Sequence, residues 1–384
     1  MTATISLCSR VAASSSPVTA SVGETSAGVI NDTSDQWFAD LASAAAREDL
    51  GQSHIARSVE ALNAVGYLAT GALPTKVLFR RLVMIGQVNL PLARLYEGHV
   101  NAVRLVTTLG DDQARSGMDA HTANGLLFGV WGADGALPLA VEGDRVVGGK
   151  RFASGLGTVG RAVVTLGQGE TMRLALVDVS DASRHRVDTW SKIGMRATAS
   201  GDFDADGLPA SALHWIGMPG QYFDEPSFIG GVWRIAAVQL GGTLGLLHTA
   251  ARQLSSMGRL GAEQQIARLA PVLTRALAAG AFTERAAQLA EGPGGTADPE
   301  RAVSLSAQAR LLTEDIAQDA IAAVERSIGL HHFDQAAPTG RIARDLATYI
   351  RQAARDALLQ RAGTWALQHE RPYSALLWDG GGDA

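Results

Sequence analysis

Side chains able to move a proton are few and scattered in this 384-residue chain. His331 and His332 stand side by side in "SIGLHHFDQ", His99 follows Glu97 by two positions in "RLYEGHVNAV", and Asp356 sits beside Arg355 in "IRQAARDALL". An imidazole titrates near neutral pH and can act as a base there. A carboxylate can do the same once desolvation raises its pKa. Each has a plainer reading: a lone histidine is usually structural, and an aspartate next to an arginine is commonly a solvated or salt-bridged surface group.

Bulk composition narrows the chemistry. With 46% hydrophobic and 18% charged residues the chain has material for a large core. A formal charge of −5 without a basic stripe argues against a nucleic-acid partner, because nothing offsets phosphate repulsion. Only Lys76, Lys150 and Lys192 are lysine; the other basic residues are arginines, which suit forked recognition of phosphates. One cysteine, Cys8, leaves no disulfide framework or Cys-rich zinc site and fits a reducing cytoplasm. No apolar run reaches the roughly 18 residues of a membrane span, so no membrane partner is expected. Residues 1–34 read as a disordered tail of Ser, Ala, Thr and Val without the pattern of a secretory signal.

The elements that must position those side chains fall into three segments. From Trp37 to about Thr107, apolar residues return at helical steps through Val59, Leu62, Val65, Leu90, Leu95, Val103 and Val106. From about Thr122 to Trp215, "DRVVGGKRF", "RAVVTLG" and "MRLALVDV" read as short antiparallel strands with tight turns. From Phe228 long helices return: Ile229, Val232, Ala236, Leu240, Leu244, Leu247, Ala251 and Leu254 share one face, and Gly241 and Gly245 make a groove for another helix. Asp298 and Pro299 open the next helix as N-cap and first residue, its buried face running through Leu305, Ala309, Leu312, Ile316 and Val324 after the loop "EGPGGTADP". Thr339 to Leu359 reads as one last helix. The expected class is α+β, mainly α: a tail (1–34), an N-terminal helical domain (35–120), a middle antiparallel β domain (121–222) and a C-terminal four-helix bundle (223–384).

Motif order within that frame resembles the acyl-CoA dehydrogenase superfamily of flavoproteins, over about residues 37 to 372. "GVWGADGALPL" stands where that family has its first flavin-contacting strand. "GGKRFASG" matches the second, "IGMRATASGDFDADGLPAS" the exit from the β domain, and "SIGLHHFDQAAPTGRIARDLA" the turn and Arg-Asp pair of the last helix. The resemblance implies a flavin, FAD with FMN as the variant. Phe152 would pack on the ring, Ser154 would donate near its reactive nitrogen, and Val130 and Trp131 would offer backbone groups. Arg252 and Arg259, flanking "QLSSMG" where the family's Arg-x-x-Phe-Gly is missing, would meet the pyrophosphate of a neighbouring copy, and Gly329 would turn the chain at the adenine. Tyr96, Glu97 and His99 fall on the helix that floors the acyl pocket.

The implied activity is α,β-oxidation of an acyl thioester, and here the sequence departs from the family. The family's base is a glutamate at one of two positions, which here hold Ala353 and Ile235. Asp356, one turn along the last helix, or His332 would have to replace it. Two alternatives follow: a reductase-dependent flavin monooxygenase acting on a small molecule, or a flavin- or acyl-binding homologue without activity. The resemblance further implies an electron-transfer protein or flavin reductase as partner and a homodimer or homotetramer.

Overall fold

A chain segment can be apolar on most sides only if other layers cover it, and "LPLARLYEGHVNAVRLVTTL" is such a segment. The computed structural model describes residues 35–376 apart from Ala72; the expected N-terminal tail and Cys8 lie outside the described residues. In it that segment is a helix, α4 (Leu90–Leu109), buried along most of its length. Asn89 caps it by accepting the Leu92 N–H, and Pro91 sits in the first turn, where its missing N–H costs nothing. Before it come α1 (Asp35–Asp49), α2 (Ala56–Ala64) and α3 (Thr75–Val88), and after it α5 (Asp112–Ala123).

One side of α4 packs on β structure. A four-stranded sheet has the order β1 (Leu127–Trp131), β5 (Val159–Leu166), β6 (Arg173–Asp178) and β9 (His214–Ile216). Ala102, Val103 and Val106 meet Phe128, Val163 and Leu176 in a core of their own. A hairpin pairs β2 (Ala140–Glu142) with β3 (Arg145–Val147), and a three-stranded sheet has the order β4 (Gly149–Ala153), β8 (Gly201–Asp204), β7 (His185–Arg186). The strands were expected to be antiparallel throughout, but β1 pairs with β5 in parallel, Val130 opposite Val163. Their connection runs through the other two sheets, long enough for the crossover that parallel pairing requires.

The other side of α4 packs on α6 (Trp233–Ser256) and α10 (Pro338–Tyr349), and α7 (Glu263–Glu291), α8 (Pro293–Ala297), α9 (Pro299–Ile328) and α11 (Arg355–Leu367) complete the C-terminal helices. Asp298 caps α9 by accepting the Arg301 N–H, with Pro299 following as expected. Other details differ. Ile229 and Val232 lie in a tight 3-10 turn ahead of α6, part of "EGPGGTADP" is the short helix α8, and Leu312 is exposed while Leu305, Ala309, Ile316 and Val324 are buried. The single last helix is two. Ala354 adopts a left-handed φ of 61° between α10 and α11, a conformation that costs a non-glycine residue about 1–2 kcal/mol. The break is held from α9: Arg310 donates to the Ala353 carbonyl at 3.1 Å, and Arg355 donates to Glu314 at 3.1 Å and Asp315 at 2.8 Å.

Helices α3 and α6 cross where the two glycines were expected to admit a neighbour, and the neighbour belongs to the same chain. A Cβ on Gly241 would collide with the Val83 carbonyl oxygen and the Cα of Gly86, and one on Gly245 with the Gln87 carbonyl. Those are backbone atoms and cannot swing away. Gly241→Ala and Gly245→Ala should therefore each lower stability by roughly 1–3 kcal/mol, read as a shift in urea midpoint at unchanged m-value. A neutral Gly241→Ala would mean that the crossing is looser than described.

Candidate active site

Glu97, Asn101, Arg104, Leu105 and Thr108 recur at helical spacing along one face of α4, and that face lines a cavity of about 440 Å³. Val130 of β1, Tyr222 and Phe228 of the loop before α6, and Val232, Arg234 and Ile235 complete the wall. The inner end is ionic. Glu97 pairs with Arg94 at 2.6 Å and accepts a hydrogen bond from Asn101, whose own oxygen accepts from Arg234 Nε at 2.5 Å. Arg234 also pairs through Nη1 with Glu291 at 2.6 Å, and Glu291 further accepts from the Trp233 indole at 2.9 Å and pairs with Arg104. Burial lowers the pKa of Arg234 despite the opposing pull of Glu291, since a buried guanidinium needs such partners to stay charged.

A second group of residues lies at the ends of β4 and β8. Phe152 has a left-handed φ of 55°, is 46% exposed, meets Trp190 edge-on at 6.2 Å and has the Arg151 guanidinium 4.6 Å from its ring centre. Ser154 Oγ accepts from Ser200 Oγ at 3.1 Å, and the Ser154 carbonyl accepts from the buried Trp131 indole at 3.1 Å. Ser200 also bonds Thr198. Met195 and Ala199 share the left-handed conformation, so three of the four such non-glycine residues among the described residues sit here. Backbone strain of this kind collects at ligand clamps. Asp345 of α10 anchors the segment by accepting the Met195 N–H at 2.6 Å; burial holds its pKa up at about 6 against the lowering effect of Arg341.

The remaining expected site residues are dispersed. Arg252 lines a separate cavity of about 910 Å³ at the start of α10, together with His248 and Arg341, and the buried Nε of Arg341 has no partner among the described residues. Arg259 is exposed on the turn after α6, and Gly329 closes α9 at a φ of 70° that favours glycine. Tyr96 points away from the cavity: it is buried near Tyr67, 6.2 Å between rings, and its hydroxyl is pushed up to about 12 by burial. His332 is buried with Nδ1 unpartnered among the described residues, and burial lowers its pKa; His331 pairs with Asp334 at 3.1 Å in the open.

Two expectations need correction. His99 is not a substrate group: Nδ1 accepts the Phe128 N–H at 3.1 Å and Nε2 donates to the Leu68 carbonyl at 2.9 Å. Both nitrogens are committed, and the ring stays neutral. Asp356 is on α11, beyond the helix break, fully exposed and 3.9 Å from Arg355. It has neither the burial nor the position of a displaced base. Ala353 is exposed in the break, whereas Ile235 does line the cavity. Asn101, Arg104, Arg234 and Glu291 are the members of the site that were not anticipated. The spacing of 97, 101 and 104 on one helix was the available signal for the first two.

No protein-family model and no curated protein matches the chain. Solved structures do. Dibenzothiophene monooxygenase TdsC from Paenibacillus sp. A11-2, solved with FMN and indole, is 16% identical with a TM-score of 0.74, over 89% of this chain and 98% of its own. KijD3, solved with FMN and a dTDP-amino-keto-sugar, is 17% identical with a TM-score of 0.72, over 88% and 92%. Butyryl-CoA dehydrogenase from Megasphaera elsdenii is 15% identical with a TM-score of 0.71, over 90% and 100%. The chain has the acyl-CoA dehydrogenase-like fold.

The His99 arrangement sets a pH dependence. Burial lowers its pKa from 6.5 to about 4, the Leu68 hydrogen bond opposing. The unfolded chain therefore binds the proton more readily, so the contribution of His99 to stability is whole above pH 6.5 and is lost as pH falls toward 4. Relative to a non-titrating His99→Gln variant, the native protein should lose on the order of 3 kcal/mol across that window, measured by urea unfolding at stepped pH. Parallel curves for the two proteins would refute the neutral, doubly bonded ring.

Proposed function

We propose that this protein is a flavin-dependent oxidoreductase acting on a small molecule without α-proton abstraction from a thioester, as the oxygenating component of a reductase-dependent monooxygenase. The observation that carries the reading is the state of the carboxylates around the main cavity. Glu97 is tied to Arg94 and Asn101, and Asp224 is exposed at the wall. The nearby base position holds Ile235. An acyl-CoA dehydrogenase needs a desolvated, unpaired carboxylate beside the substrate, and none of these qualifies. The ionic inner end of the cavity also disfavours a long acyl tail.

The donor set fits a flavin. Phe152 gives an exposed aromatic wall, and Ser154, Ser200 and Thr198 give hydroxyls beside it. Arg252, with the unpartnered Nε of Arg341, gives cationic donors for phosphate in the second cavity, serving the flavin of a neighbouring copy in a homo-oligomer. FMN meets these requirements as well as FAD, and it accompanies TdsC and KijD3 in their structures. When bound, reduced flavin supplies the electrons with which oxygen is activated. The protein's part is to exclude water with Leu105, Leu109, Val130, Phe228 and Ile235, and to fix the substrate's polar end with Arg104 and Arg234. Flavin is reduced elsewhere, so the partner is a flavin reductase.

Anaerobic titration separates this from dehydrogenation. Protein loaded with oxidised FAD or FMN should keep its visible spectrum through a panel of short- to long-chain acyl-CoAs, while added reduced FMN should bind and reoxidise more slowly than in free solution once oxygen is admitted. Bleaching by any acyl-CoA would overturn the proposal in favour of a dehydrogenase. Failure to bind either flavin would leave an inactive homologue.

A further inference from the structure

We infer that the main cavity selects a substrate carrying a single carboxylate on a small apolar body, with Arg104 and Arg234 as the specificity-determining pair; this rests on the functional reading above for the site but not for the charge. Three arginines and two glutamates make up the network at the inner end: Arg94 with Glu97, and Arg104 and Arg234 sharing Glu291. One positive charge is left over. The surplus falls on the second pair, because Arg94 and Glu97 balance one another.

The guanidinium of Arg234 is the built part of the site. Its side chain is buried, its Nε is spent on Asn101 and its Nη1 on Glu291, and its Nη2 finds no acceptor among the described residues. Arg234 and Arg104 both line the cavity. A carboxylate entering there would gain a charge-assisted hydrogen bond to a donor on a buried side chain that is already held in place, so little ordering cost remains. The desolvation that lowers the pKa of Arg234 would be relieved by the same anion. The one other charge on the wall, Asp224, is exposed, where solvent screens it.

Size and lining set the rest of the molecule. A cavity of about 440 Å³ compares with the ~150 Å³ that accepts benzene, so a body of one to three rings fits. Leu105, Val130, Phe228 and Ile235 provide its apolar contact. A surplus of one charge matches a monoanion rather than a phosphate dianion, which would leave a net negative charge in a mostly apolar cavity.

The test is calorimetric binding to the full-length, flavin-free protein, using benzoate and 2-naphthoate, their carboxamides, and phenyl phosphate. Each carboxylate should bind at least tenfold more tightly than its carboxamide, and benzoate more tightly than phenyl phosphate. Arg104→Gln, at a partly exposed position that should fold, should abolish most of the carboxylate preference while leaving carboxamide affinity within about threefold, the difference between losing a charge pair and losing the site. Equal affinity for acid and amide, tighter binding of phenyl phosphate, or no binding by any of the five compounds would overturn the inference. Carboxylate preference in a protein that binds no flavin would uphold it while removing the monooxygenase reading.

Discussion

A charged helix face buried between a sheet and a helical bundle must find its counter-charges inside the protein. Helix α4 is that face. Its apolar residues fasten the β layer on one side and the bundle on the other, and its polar residues Glu97, Asn101 and Arg104 are left at the seam. Arg94 meets Glu97 on the same helix, but Asn101 and Arg104 need α6 and α7, and the contact of Asn101 with Arg234, and of Arg234 and Arg104 with Glu291, fixes how those helices sit against α4. The cavity is what this arrangement leaves open. Its polarity is therefore a consequence of how the layers are joined.

The same logic, applied at the C-terminal end, explains what became of the expected base. The buried pair Arg310 and Glu314 on α9 require partners, and they find them by pulling in the Ala353 carbonyl and the Arg355 guanidinium. That contact interrupts the last helix and turns Ala354 left-handed. Residue 353 then faces outward instead of toward the substrate, and a carboxylate one turn later projects from a different helix. The position expected to carry the base and the break in the helix therefore coincide.

Most of the architecture was legible because it is written in local signals. Helical periodicity, the Asp298 and Pro299 cap, the glycine pair at Gly241 and Gly245 and the ordered motifs of the β segment each act within a few residues. The parts that were missed depend on partners far along the chain. His99 reads as a chemical group until Leu68 and Phe128, about thirty residues away on either side, take both its nitrogens. The helix break has no glycine or proline to announce it, since Arg310 imposes it from 43 positions away. Parallel pairing of β1 with β5 is likewise invisible to alternation, which reports which face is buried but not the neighbour's direction. Arg234 lay next to a position already singled out, Ile235, yet only its distance to Glu291, 57 residues on, gives it meaning.

The inner end of the cavity is a coupled ionic network. A double-mutant cycle between Arg234→Met and Glu291→Met, followed by urea unfolding at constant pH, measures the coupling directly. Glu291→Met strands the buried Arg234 guanidinium and should be strongly destabilising, whereas Arg234→Met leaves Glu291 its pairing with Arg104 and should cost less. The double variant removes the stranded guanidinium, leaving only the partly exposed Arg104 without its partner, and should recover much of the Glu291→Met loss, with a coupling energy of roughly 1–3 kcal/mol. Additive losses, with coupling indistinguishable from zero, would contradict the account.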